Sequence, residues 1–252
     1  MDDATGTHER AVITGDTVHR GVGYWTPAVH ALLRHLDAVG FAPAPRVLGF
    51  DAAGREMLSY IRGDAGPASW QHIVPDGGLQ AYARLLRAYH DAVSNFRPHA
   101  DAIWAHAEGP PTSGEIICHG DFGPWNVVWR DGAPVGIIDW DDARPAPALD
   151  DVAYALEYAA PFRDDPECLR WLRYDEPPDR RARIAIFAEA YGLASTDGLV
   201  DRVIAMQRSD IERVRLSAER GVARNIQWVA EGFLHELAAR VEWSERNRHL
   251  FD

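Results

Sequence analysis

The sequence predicts an α+β chain in which a small mixed N-terminal lobe precedes a larger, mainly helical one. Three observations predict it. Short strand-like runs crowd around one amphipathic helix in the first part of the chain, and a segment dense in Gly and Pro follows. Beyond that segment, apolar residues recur chiefly at helical spacing, interrupted by one compact β segment.

Ala11-Val-Ile13 and Thr17-Val-His-Arg20 flank Gly15-Asp16 and read as a β-hairpin. Thr26-Pro27 opens a helix, with Thr26 as the expected cap and Pro27 in the first turn. Val29, Leu32, Leu33, Leu36 and Val39 form its apolar stripe, and Gly40 is placed to end it. Arg46 to Phe50 and Arg55 to Ile61 are strands joined by Asp51-Ala-Ala-Gly54. The turn formers between Arg62 and Gly78 mark a junction, which divides the chain into residues 1–61 and 62–252. In the second part, Leu79, Tyr82, Leu85, Leu86, Tyr89 and Val93 make one helical stripe, and Leu149, Val152, Ala153, Leu156 and Ala160 a second. A third, Ile226, Val229, Phe233 and Leu237, lies in a helical stretch expected to run to about Arg246. Between the first two stripes lie strands at Glu115 to Cys118, Val127 to Arg130 and Val135 to Ile138, the last pair turning at Asp131-Gly132.

The composition narrows the function. At 252 residues, 46% hydrophobic and 25% charged, the chain has enough apolar residues for a core. No apolar run approaches the roughly 20 residues that span a bilayer. The N-terminus shows no basic-then-apolar pattern, and the two cysteines, Cys118 and Cys168, form no CxxC pair. A cytoplasmic protein is expected. The net charge of −12 opposes nucleic acid and fits either a cationic small substrate or an acidic surface that simply keeps the chain soluble. All 26 basic residues are arginine; the chain has no lysine.

The chemistry concentrates in His119-Gly-Asp-Phe-Gly-Pro-Trp-Asn126 and Ile137-Ile-Asp-Trp-Asp141. A hairpin sets the start of one strand beside the end of the next, so Asn126 and Asp139 can face one point. Two side-chain oxygen ligands, completed by water and phosphate, suit Mg²⁺. Asp121 beside that point can orient a hydroxyl and accept its proton during phosphoryl transfer. Loop Asp and Asn residues are ordinary turn formers taken singly. It is the ordered set, H-x-D-x-x-x-x-N and then an apolar strand ending in Asp, that is specific.

These two motifs resemble the core of aminoglycoside phosphotransferases, choline kinases and related small-molecule kinases, whose fold is protein-kinase-like and two-lobed. The layout is similar over nearly the whole chain. The resemblance implies Asp121 as catalytic base, Asn126 and Asp139 as metal ligands, and ATP or GTP as co-substrate with Mg²⁺. It also implies that Ser59-Tyr60-Ile61 lies near the hinge that receives the nucleotide base. His119 is expected to orient the loop, Trp125 and Trp140 to pack beside it, and Asp151 to brace it. Asp141 is placed to assist the metal from behind or to sit in solvent.

Two departures from that pattern stand out. Related kinases hold the nucleotide phosphates with a lysine paired to a glutamate of the following helix. Here Arg20 is the nearest positional substitute, and that helix offers only His30, His35 and Asp37. The first identifiable strand leaves room for one strand fewer than the family pattern, and Asp3 to Thr7 is read either as a shortened phosphate-covering loop in which Gly6 would admit a phosphate or as an untethered N-terminus. The expected function is a small-molecule kinase acting on an aminoglycoside-like or other cationic alcohol, received by acids such as Asp141, Asp142, Glu157 and Glu231. The alternative is a catalytically degenerate kinase-fold protein that binds or regulates. A kinase fold turned to nucleotidyl transfer has no residue arguing for it, and the oligomeric state is not legible.

Overall fold

The computed structural model describes residues 11–252. The phosphate-loop remnant expected at Asp3 to Thr7 lies outside the described residues. The first lobe is built from β1 (Val12–Thr14), β2 (Thr17–Arg20), α1 (Thr26–Ala38), β3 (Val47–Phe50) and β4 (Glu56–Ser59). Its antiparallel sheet runs in the order β1-β2-β4-β3, so β4 returns to pair with β2 and sets Arg20 directly opposite Glu56. Thr26 is not the cap expected of it. Trp25 occupies that position, while the Thr26 hydroxyl accepts the Gly23 amide at 2.9 Å. The Gly23–Thr26 backbone turn has already drawn Thr26 into helical geometry. Gly40 ends the helix at φ +76°, a value that glycine adopts without a Cβ penalty.

The chain crosses into the helical lobe at Gly63 and Asp64. There an exchange of backbone bonds with Trp129, 2.7 and 2.9 Å, ties the turn-rich segment to the second lobe rather than leaving it free. Next come α2 (Trp70–Ile73), α3 (Asp76–Val93), the small ladder β5 (Ile103–Trp104) and β6 (Ala107–Glu108), and β7 (Ile116–Cys118). After β8 (Val127–Arg130), β9 (Ala133–Ile137) and β10 (Arg144–Ala146) the lobe is helical. It comprises α4 (Ala148–Ala159), α5 (Asp165–Trp171), α6 (Arg180–Tyr191), α7 (Leu199–Glu219), α8 (Ala223–Ala230) and α9 (Phe233–Arg246). The inserted β segment is two ladders: β8 pairs with β9, while β7 pairs with β10.

One apolar core joins the lobes. Leu32, Leu33 and Leu36 of α1 belong to the same buried cluster as Tyr82, Leu86 and Tyr89 of α3, Ile137 of β9 and Val152 of α4. The first two helical stripes are therefore core faces. The third is not one stripe, because Gly221 and Gly232, at φ +87° and +90°, break the stretch into α7, α8 and α9. Ile226 is left exposed, and α8 has no buried residue. Arginine also serves the interior. Buried Arg183 gives its Nε to Ala159 O (2.6 Å) and its fork to Ile73 and Val74 O (2.6 and 2.8 Å), satisfying carbonyls at the ends of α2 and α4. Among the described residues, no helix is long and apolar enough to cross a membrane.

Candidate active site

The site is built on the β8–β9 hairpin. Val127 lies opposite Ile137, and the Ile138 amide donates to Asn126 O at 2.9 Å, so Asn126 and Asp139 leave the two strands side by side. Asp139 sits at φ +61°, a left-handed conformation uncommon outside Gly, Asn and Asp, and its carboxylate is 52% exposed. Asn126, by contrast, is buried, and its Nδ2 donates to Asp121 Oδ2 (2.8 Å) and to Asp121 O (2.9 Å). That spends the amide nitrogen and leaves Oδ1 as the atom that could hold a metal. The Asp139 carboxylate and Asn126 Oδ1 are hard oxygen donors, a set that fits Mg²⁺.

Asp121 is the hub of the loop. Its second oxygen accepts a short hydrogen bond from the hydroxyl of Tyr154 on α4. Burial, followed by the negative charge of Asp142, holds its carboxyl above the ordinary value, against the Tyr154 hydrogen bond that lowers it. Tyr154 is a residue the sequence reading missed. It lies one helical turn beyond Asp151, so the i, i+3 face that carries the brace also carries it.

The loop itself is held from beneath. The buried Asp151 carboxylate accepts the His119 amide (2.7 Å) and the Gly120 amide (2.9 Å), and contacts His90 Nε2 at 3.1 Å. His119 is fully buried. Its Nδ1 accepts the Asp121 amide (3.3 Å) and its Nε2 donates to Ile138 O (3.1 Å), tying the loop to the strand end that carries Asp139. Trp140 packs edge-on against the His119 ring at 4.7 Å, and Trp125 against Tyr158 at 4.7 Å. His90, Cys118 and Asp151 bring ligand atoms within 4.8 Å of one another. Those of His90 and Asp151 are spent on each other and on the loop, and the thiol lies against the Ala146 and Pro147 carbonyls, so the trio reads as a brace.

Gly120 (φ +81°) makes the close approach possible. A Cβ there would collide with Asp142 O and the Arg144 guanidinium. Gly120→Ala is expected to cost about 1–3 kcal/mol in urea denaturation, the range for a strained backbone position. A change below a few tenths would sink the account.

Arg20 reaches the same centre from the small lobe. Its Nε contacts Glu56 Oε1 at 2.7 Å, Nη1 contacts Asp139 at 3.4 Å, and Nη2 makes a short contact with Asp141. Burial pulls its pKa down, but Asp141, Asp139 and Glu56 outweigh it and hold it above the ordinary arginine value. The partner is thus Glu56 on β4, not one of the α1 residues considered from sequence. Buried His30 of α1 contacts the other oxygen of buried Glu56, Oε2, at 2.7 Å, completing a His30–Glu56–Arg20 chain. Glu56→Gln is expected to weaken the fold by about 1.5–3 kcal/mol, the value of hydrogen bonds to a charged group. A denaturation midpoint equal to wild type would refute that.

Of the hinge residues, Ser59 and Tyr60 use their amides within the small lobe, on Arg46 O (2.9 Å) and Asp16 O (2.8 Å). Ile61 packs its side chain over Gly136 of β9, where a Cβ would clash, and its amide has no protein acceptor among the described residues. The four acids expected to receive a cation are engaged elsewhere. Asp141 contacts Arg20, and Asp142 contacts His106 at 2.8 Å. Glu157 is buried beside Arg163 and Arg240, and Glu231 accepts from Gln227. Burial raises the Asp142 pKa, but the His106 hydrogen bond and nearby Arg213 bring it down to about 2.

Residues 61–187 match the sequence profile of the phosphotransferase enzyme family. A trifolitoxin immunity protein of Rhizobium leguminosarum bv. trifolii is 37% identical over 204 residues, covering 78% of this chain and 76% of the relative. Among solved structures, aminoglycoside 2'-phosphotransferase-IIIa in its GDP complex superposes with a TM-score of 0.62 at 18% identity, covering 96% of this chain and 91% of that one. The amicoumacin kinase hAmiN with AMP-PNP and Ca²⁺ gives 0.58 at 11% identity over 94% and 87%. Spectinomycin phosphotransferase with ADP and its antibiotic gives 0.56 at 13% over 96% and 92%. These structural likenesses show the two-lobed kinase-like fold. With a family profile matched over residues 61–187, which include the His119–Asn126 loop and the β8–β9 hairpin, and a 37% identical relative aligned over most of both chains, this protein belongs to the phosphotransferase enzyme family, whose reaction is phosphoryl transfer to an alcohol hydroxyl.

Proposed function

We propose that the chain is a small-molecule kinase that moves the terminal phosphoryl group of ATP or GTP onto an acceptor hydroxyl. The observation that carries this is the convergence of Asp121, Asn126, Asp139 and Arg20 on one centre, held by the hairpin and the Asp151 brace. Nucleotide binding is assigned to the lobe up to residue 61, and catalysis and acceptor binding to residues 62–252. Asn126 and Asp139 would hold Mg²⁺, which supplies charge neutralisation on the phosphates when bound. Arg20 binds phosphate oxygens through its fork. The Ile61 amide, at the end of the hinge segment Ser59-Tyr60-Ile61, meets the nucleotide base. Asp121 orients the acceptor hydroxyl. As the acceptor oxygen bonds to the terminal phosphorus and the bridging P–O bond breaks, Asp121 takes the hydroxyl proton and the nucleoside diphosphate leaves.

Relatives whose names carry immunity to trifolitoxin and phosphorylation of spectinomycin support a hydroxylated antibiotic as acceptor. One observation favours the second reading, a degenerate binding or regulatory protein: the Arg20 fork is already engaged by three carboxylates. The test is mass spectrometry of the protein with ATP or GTP, Mg²⁺ and hydroxylated compounds that are cationic (aminoglycosides included), neutral or anionic, with Asp121→Asn as control. A phosphorylated product absent from the control establishes the kinase. Absence of product together with absence of nucleotide binding gives the second reading instead.

A further inference from the structure

A cavity of about 790 Å³ opens beside the catalytic loop, walled by α7 with contributions from His106, β10 and the start of α4. Its size is that of a small-molecule pocket. It adjoins the catalytic centre through two of its walls. His106 contacts Asp142, and the Arg144 guanidinium donates to the backbone oxygens of Asp142 (3.2 Å) and Gly120 (3.4 Å). A third lining residue, Arg213, lies within the electrostatic field of Asp121.

The charges in this wall do not follow the −12 of the chain. Every acid that lines the cavity has an arginine partner. Asp150 is held by Arg202 at 2.8 Å and Asp210 by Arg213 at 3.0 Å. Asp201 is held by Arg248 at 2.7 Å and Glu212 by Arg215 at 2.6 Å. The converse does not hold. Arg144 and Arg220 line the same cavity and, among the described residues, neither has a carboxylate within salt-bridge distance. Arg144 is half-buried and its guanidinium bonds to carbonyl oxygens; Asp142 and Asp210 lie within its electrostatic field, but neither pairs with it directly, so its donors are not spent on a carboxylate. A ligand seated here meets acids that are each paired and two guanidiniums that have no direct carboxylate partner.

We propose, resting on the kinase reading above, that the acceptor alcohol carries an anionic group, carboxylate or phosphate, bound by Arg144 and Arg220 while its hydroxyl faces Asp121. The acidic surface of the chain then plays no part in acceptor choice.

The experiment uses one polyol skeleton in four charge states: D-gluconate, sorbitol 6-phosphate, sorbitol and N-methyl-D-glucamine. Binding of each to the full chain is followed at millimolar concentration by ligand-observed NMR without nucleotide, and phosphorylation is assayed separately with ATP or GTP. One of the two anions is expected to bind about tenfold tighter than sorbitol or the amine, and Arg220→Gln to remove that advantage. Which anion wins separates a carboxylate from a phosphate ligand. Preference for the amine, equal binding of all four, no binding by either anion, or an unchanged preference in Arg220→Gln would overturn the proposal. Because binding is read without nucleotide, its result stands apart from the kinase reading, which fails instead if no alcohol of any charge is phosphorylated.

Discussion

Asp121→Asn is expected to lower kcat by about 10²–10⁴-fold, the usual contribution of a positioned general base, with the fold and nucleotide affinity kept. The geometry says why the loss is confined to chemistry. Asn126 Nδ2 donates to one Asp121 oxygen and the Tyr154 hydroxyl to the other. An amide at 121 can turn its oxygen to Asn126 and its nitrogen to the tyrosine oxygen, which accepts as readily as it donates. Only the Tyr154 hydroxyl proton loses its acceptor, so thermal melting should fall by no more than that one hydrogen bond and nucleotide titration should match wild type. What the amide cannot do is take a proton from the acceptor hydroxyl. A variant retaining more than about a tenth of wild-type kcat would remove Asp121 from the base role, since that loss lies below the range a general base supplies.

The parts of this site legible in the sequence share one property: they are local. The hairpin that sets Asn126 beside Asp139 starts from a two-residue turn, and a one-residue register shift between Val128 and Trp129 sets the final pairing. The small lobe was readable for the same reason, element by element, with boundaries displaced by a residue or two. What was not readable depends on which strands become neighbours. Arg20 meets Glu56 because β4 inserts between β2 and β3, and sequence order does not dictate that placement. His30 then reaches Glu56 from α1, a contact set by how the helix lies against the sheet. The C-terminal stretch failed differently. Its apolar spacing, Ile226 to Leu237, runs through Gly232, and the break follows from the positive φ of that glycine, so the glycine outweighs the periodicity. Tyr154 could have been found. Once Asp151 is taken to brace the loop, the residue one turn along the same face is aimed at it.

Asp151→Ala carries the other large effect, and it falls on stability first. The side chain is 1% exposed and accepts the amides of His119 and Gly120 while contacting His90. Alanine leaves two buried N–H groups unpaired, each costing about 1–3 kcal/mol, so a loss on the order of 3–5 kcal/mol is expected in urea denaturation. That is a large share of the roughly 5–15 kcal/mol that holds a domain folded. Asp151→Asn is not a rescue, because its amide nitrogen would face one of the same N–H donors. Acid provides an independent check. Burial raises the Asp151 pKa, yet the His90 hydrogen bond and the loop amides outweigh it and leave it below the ordinary carboxylate value. A depressed pKa in the folded state means that the contribution is complete above the unfolded carboxylate pKa, near 4, and drains away as pH falls through the folded value. The Asp151→Asn protein lacks that group, so its stability should fall less steeply than wild type below about pH 4. Parallel stability curves across that range, or a loss under about 1 kcal/mol in Asp151→Ala, would mean that the loop is held by something other than this carboxylate.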